Sequence, residues 1–122
     1  MKAFWWAVSL ALLALIWVAD SSASPLGLSL RHPFDWLGHL LIYLALGYAL
    51  GRATGRRGLA LGLAAWVGAA DEVHQAFVAG REAGIQNWLW ALAGAWIGGR
   101  VAVRRVPPAP EYQPTVPPAQ VP

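Results

Sequence analysis

Residues 69–82, AADEVHQAFVAGRE, set Asp71, Glu72, His74, Gln75, Arg81 and Glu82 into an otherwise apolar chain. A sparser set lies upstream, where Asp35, His39 and Tyr43 follow one another at intervals of four. Carboxylates beside imidazoles can move protons as general acid or base, with Glu72 and His39 as the candidates. The same groups can hold a polar head group, Arg81 and the histidines meeting phosphate and the acids meeting hydroxyls or amines. A metal would draw on Asp35, His39, Glu72 and His74. No paired-histidine spacing enforces one, so the expectation is no metal and no cofactor. The bland alternative is inter-helix glue, worth about 0.6 kcal/mol per contact in lipid. Which chemistry applies depends on the solvent around these residues.

That solvent is read from the rest of the chain. Its 122 residues allow one domain, 57% of them hydrophobic and only 12% charged, with eight Trp and no Cys. Soluble domains are usually about one quarter charged. Disulfides and thiolate metal sites are excluded. Four apolar runs stand out, at about 3–19, 36–51, 58–79 and 85–103. Spanning a hydrocarbon core of about 30 Å takes roughly 20 helical residues. The fold expected is therefore an all-α membrane protein, a four-transmembrane-helix bundle over 1–105. The Pro-rich tail, 106–122, reads as disordered and cytoplasmic.

Charge sets the orientation. With the N-terminus inside, Lys2, Arg52, Arg56, Arg57, Arg100, Arg104 and Arg105 are cytoplasmic, against Arg31 and Arg81 outside. The positive-inside rule thus places both termini of a multi-pass inner (plasma) membrane protein in the cytoplasm. Trp5, Trp6, Trp17, Trp36, Trp88 and Trp90 fall near the span ends, as in an aromatic belt. The basic residues are spread between apolar runs, which argues against a nucleic-acid partner. The first 24 residues also fit a secretory signal ending near "SSA". Their apolar run of about 17 residues exceeds the usual signal core of about 7–15, which favours a retained span. Small residues recur at intervals of four, in Gly47/Gly51, Gly58/Gly62, Gly94/Gly98 and Ala91/Ala95, a spacing that lets helix backbones approach closely in lipid.

A depth count brings the polar residues together. At about 1.5 Å per residue, His39 lies about 6 Å and Tyr43 about 12 Å below Asp35 at the outer boundary. Counted from Arg57, Asp71 lies about 21 Å up, in the outer third of the same core. Asp71, Glu72, His74 and Gln75 span an arc of about 160°, with Ala69, Val73, Ala76 and Phe77 opposite them. The second and third runs, joined by a short loop, should form an antiparallel hairpin. His39 and Tyr43 would then face Asp71, Glu72 and Gln75, with Arg81 folding over the mouth to neutralise one acid and Asp35 supporting a protonated His39.

At these residues the chain resembles the VanZ-like family of small bacterial membrane proteins. The likeness runs over about 34–99. An Asp-x-x-x-His-x-x-x-Tyr run matches Asp35, His39 and Tyr43, and an acidic-Glu-x-His-Gln-x-Phe-x-Pro-Gly-Arg run matches Asp71, Glu72, His74, Gln75, Phe77, Gly80 and Arg81. The chain departs from the pattern at Trp36 (commonly Lys), Ala79 (Pro), Asn87 (Asp) and Ala91 (Asn). The resemblance implies a multi-pass protein of the bacterial inner membrane, in some members linked to resistance to glycopeptide antibiotics such as teicoplanin, which act on lipid-linked cell-envelope precursors. The binding residues expected are Asp35, His39, Tyr43, Asp71, Glu72, His74, Gln75, Arg81 and Asn87. The partner expected is a membrane lipid or lipid-linked envelope precursor. Whether the chain is an enzyme stays open.

Overall fold

A computed structural model describes residues 1–21, 33–104 and Glu111. The expected signal-cleavage site, Arg31, Arg105 and nearly all of the Pro-rich tail lie outside the described residues. Four helices follow in order: α1 Lys2–Asp20, α2 Phe34–Thr54, α3 Arg57–Ala76 and α4 Ile85–Ala102. No strand occurs among the described residues. The all-helical reading holds.

The apolar runs become these helices with small shifts at their ends. α2 extends further than its run because Phe34 and Asp35 join its start. It stops at Gly55, whose φ of 70° places it in the left-handed region, with its N–H donating to the Gly51 carbonyl at 2.8 Å. The Thr54 hydroxyl donates to Leu50 O at 2.7 Å and accepts from the Arg56 N–H at 3.2 Å, which closes the turn into α3. α3 ends at Ala76, three residues short of the apolar run, and Gly80 at φ 79° carries the chain around. By length and composition, α1 and α2 are apolar enough to cross a membrane. The polar residues of the site lower the hydropathy of α3, while Gln86, Asn87 and Arg100 do so in α4.

α2 touches all three other helices, and its closest partner is α4. Three glycines explain why. A methyl group at Gly94 would overlap the Leu40 carbonyl, one at Gly98 the Leu44 carbonyl, and one at Gly47 the Ala95 backbone. The expected small-residue seam is therefore present for Gly47, Gly51, Gly94, Gly98 and Ala95, and Ala91 is buried. Gly58 and Gly62 do not join it, since both face open space. The expected hairpin of the second and third runs is likewise modified. α3 meets α2 at the polar cluster, but the tight backbone packing of α2 is with α4 because the small residues lie on those two faces.

The bundle is apolar outside. Ile16, Tyr43, Leu46, Leu50, Ala60, Ala64, Ala91 and Ala95 form the core, and most of these are small or medium in size. Trp17, Leu41, Trp66, Val73, Phe77, Leu89 and Trp96 are all exposed. Ala69 and Ala76 are exposed too, so the α3 face expected to oppose the polar arc does so. Trp88 breaks the belt pattern. It turns inward and donates its indole N–H to Ala65 O at 3.0 Å.

At the end opposite the polar cluster, Arg57 Nε donates to Val103 O at 2.5 Å and Nη2 to Arg100 O at 3.4 Å. These bonds satisfy carbonyls at the close of α4 that have no helical donor. Arg52 lies over the Trp5 ring at 5.5 Å, tying α1 to the end of α2. The helices run up, down, up and down, so all the described basic residues except Arg81 gather at this end.

Candidate functional site

At the other end, the last turn of α1, the first turns of α2 and the last turns of α3 converge. His39 is the pivot. Its Nδ1 lies 2.9 Å from the Asp35 carbonyl, one turn earlier on α2. A carbonyl can only accept, so Nδ1 is the donor, and in the neutral Nδ1–H tautomer Nε2 keeps a lone pair. That lone pair faces α3. Gln75 Nε2 is 3.4 Å from it, Glu72 Oε1 3.7 Å and Asp71 Oδ2 3.9 Å. Gln75 Nε2 also donates to Asp71 Oδ2 at 3.1 Å, so one amide spans the two helices.

Spacing on α3 decides which residues take part. Asp71 and Gln75, one turn apart, point inward and are 3% and 1% exposed. Glu72 is half-buried at the edge, where it accepts the Gly84 N–H at 2.8 Å and secures the start of α4. His74 does not join them. Its ring stacks on Trp17 of α1, centroids 3.8 Å apart and planes within 5°, because its azimuth on α3 turns it toward α1. Asn87 is buried; its amide donates to Glu82 O at 3.0 Å, which holds the α3–α4 connection, and its side chain also reaches the Glu72 carboxylate. Tyr43 lies one turn below His39, 1% exposed, with its ring parallel to the imidazole at 6.4 Å. Asp35 meets His39 through its main-chain carbonyl, not as the expected carboxylate support.

The residue missed from the sequence is Asp20. It ends α1, is 9% exposed, and takes the Arg81 guanidinium as its ion-pair partner. Arg81 does fold over the cluster as expected, but the acid it neutralises comes from α1. Asp20, His39 and Asp71 bring one ligand atom each to within 4.8 Å of one another. A depth count along the first run would have found it, since Asp20 ends that run at the level of Asp35 and Arg81.

Gln75 Oε1 is buried with no hydrogen-bond partner, and the Tyr43 hydroxyl and Asp71 Oδ1 make no well-formed bond although the two side chains lie against each other. Buried polar atoms are normally satisfied, so the cluster has hydrogen-bonding capacity to spare. The cluster can accept hydrogen bonds, accept a proton at Nε2, or ligate a cation. Compared with protein-family models, curated proteins and solved structures, the chain matches none.

Proposed function

We propose that this chain is a four-span membrane protein of the VanZ-like kind, with its basic end in the cytoplasm. Its outer cluster binds the polar head group of a lipid or lipid-linked envelope precursor. The observation that carries the reading is the inverted distribution of polarity: an apolar exterior encloses buried Asp20, His39, Asp71, Gln75 and Asn87. In a bilayer such groups cost about 2.5–3.5 kcal/mol each when charged, so an arrangement of this size is retained for use. The small-residue seam is the packing expected where lipid surrounds a bundle, and the segregated arginines match the positive-inside pattern. The motif likeness over residues 34–99 points the same way and extends the reading to glycopeptide resistance.

The test is mass spectrometry of lipids that remain bound to purified protein. One head-group class should be enriched over an unrelated membrane protein, and Glu72→Gln and His39→Gln should each reduce it several-fold. Equal enrichment in the variants, or none in the wild type, would defeat the reading. A second reading has one specific observation in its favour. The Nδ1 bond fixes His39 with Nε2 free to take a proton, so His39 could serve as general base on the bound head group.

A further inference from the structure

We propose that Asp20, His39 and Asp71, with Glu72 beside them, form a binding site for one divalent cation of the zinc or manganese type. The expectation of no metal weighed Asp35, His39, Glu72 and His74 and rested on the lack of paired-histidine spacing; the structure instead groups His39 with Asp20 and Asp71. The inference stands apart from the head-group reading.

Geometry comes first. Two atoms each about 2.1 Å from one ion lie at most about 4.2 Å apart. His39 Nε2 is 3.9 Å from Asp71 Oδ2 and 3.7 Å from Glu72 Oε1, too long for hydrogen bonds and a few tenths of an ångström wider than ligands on a shared tetrahedral ion. The trio as a whole lies within 4.8 Å, and tetrahedral ligands about 2.1 Å from one ion sit about 3.4 Å apart, so rotamer adjustments of about 1 Å draw the three onto a shared ion.

Orientation is the second argument. Metal-bound histidines donate their other ring N–H to a carbonyl or carboxylate, which fixes the tautomer and aims the lone pair. His39 does this through Nδ1 to Asp35 O, aiming Nε2 at three carboxylate-bearing residues. Asp20 is braced in the same way by Arg81, which can hold one carboxylate oxygen while the other turns to the ion. Asp71 Oδ1 is buried and makes no well-formed hydrogen bond. Gln75 bridges Asp71 and His39 with its amide nitrogen, while its buried Oε1 also lacks a partner. Turning that amide over removes the donor from between the ligands and presents an oxygen to the cation.

Charge is the third. As carboxylates, Asp20, Asp71 and Glu72 outnumber the Arg81 guanidinium by two, an excess that a divalent cation ligated by the neutral form of His39 would balance. One imidazole with carboxylate oxygens and no thiolate suits Zn²⁺ or Mn²⁺ better than Cu⁺.

The experiment uses untagged full-length protein in detergent, stripped with chelator and titrated separately with Zn²⁺ and Mn²⁺. We expect saturable binding of one equivalent per chain. Asp71→Asn and His39→Gln should weaken it by at least about tenfold, while Glu111→Gln, at an exposed position, leaves it unchanged. Pulsed electron paramagnetic resonance of the Mn²⁺ form should show coupling to an imidazole nitrogen. That wild-type spectrum decides the matter if a variant fails to fold. No saturable binding, binding unaltered in both variants, or a Mn²⁺ spectrum without nitrogen coupling would each overturn the proposal. Lipid retention measured after chelation tests the head-group reading separately, since either result there leaves the metal titration intact.

Discussion

Removing Arg81 while keeping Asp20 would strand a carboxylate that is almost out of reach of water. Breaking a buried pair in this way costs about 3–5 kcal/mol, whereas replacing both partners with apolar residues of similar size is often neutral. Arg81→Met should therefore destabilise the protein by roughly 3 kcal/mol, and Asp20→Leu combined with Arg81→Met should recover most of that loss. Denaturant unfolding in detergent measures both. If the double variant falls as far as the sum of the singles, the pair is not coupled. His39, Tyr43, Asp71, Glu72 and Gln75 were legible as one cluster because helical rise alone sets their depth. His74 was misplaced because azimuth, unlike depth, has meaning only relative to neighbours. Its ring lies within one helical turn of Asp71 yet faces Trp17. Asp20 was passed over because a charge that ends an apolar run reads equally well as an interfacial residue.

At the scale of the helices, the seam between α2 and α4 is the least forgiving feature. Gly94→Leu would push a side chain into the Leu40 carbonyl and force the two helices apart. Loss of stable folded protein is the expected outcome, scored by size-exclusion profile and helicity. Gly62→Ala adds a methyl group in open space within α3 and should be neutral or gain about 0.5–1 kcal/mol from reduced backbone freedom. A tolerated Gly94→Leu, or a damaging Gly62→Ala, would show that the seam is not where the fold is held. The four-residue spacing of small residues is present in both places. Sequence alone does not separate them, because the spacing says that a face is smooth and not that anything lies against it. Helix existence, by contrast, was plain, and the ends shifted by no more than about three residues, with α2 longer at both ends and α3 stopping before the turn at Gly80.

For the whole molecule, the segregation of charge makes a topological prediction. A reporter active only outside the cytoplasm should work when inserted within 22–32 and fail when fused after Val103. Activity at the second position would reverse the orientation and with it the outward-facing cluster. The ion pair between α1 and the loop after α3 has a further bearing, on biosynthesis. Asp20 and Arg81 are separated by 61 residues of chain. At about 5–20 residues per second, Asp20 leaves the ribosome roughly 3–12 s before its partner exists. His39 is likewise synthesised ahead of Asp71 and Gln75. On the four-span reading proposed above, the first two helices wait through that interval with their polar ends at the interface, in water or beside an insertion factor. They settle only once α3 arrives. On that reading assembly is timed by the third helix, and a stop in translation between Thr54 and Arg81 would leave a chain that inserts without closing.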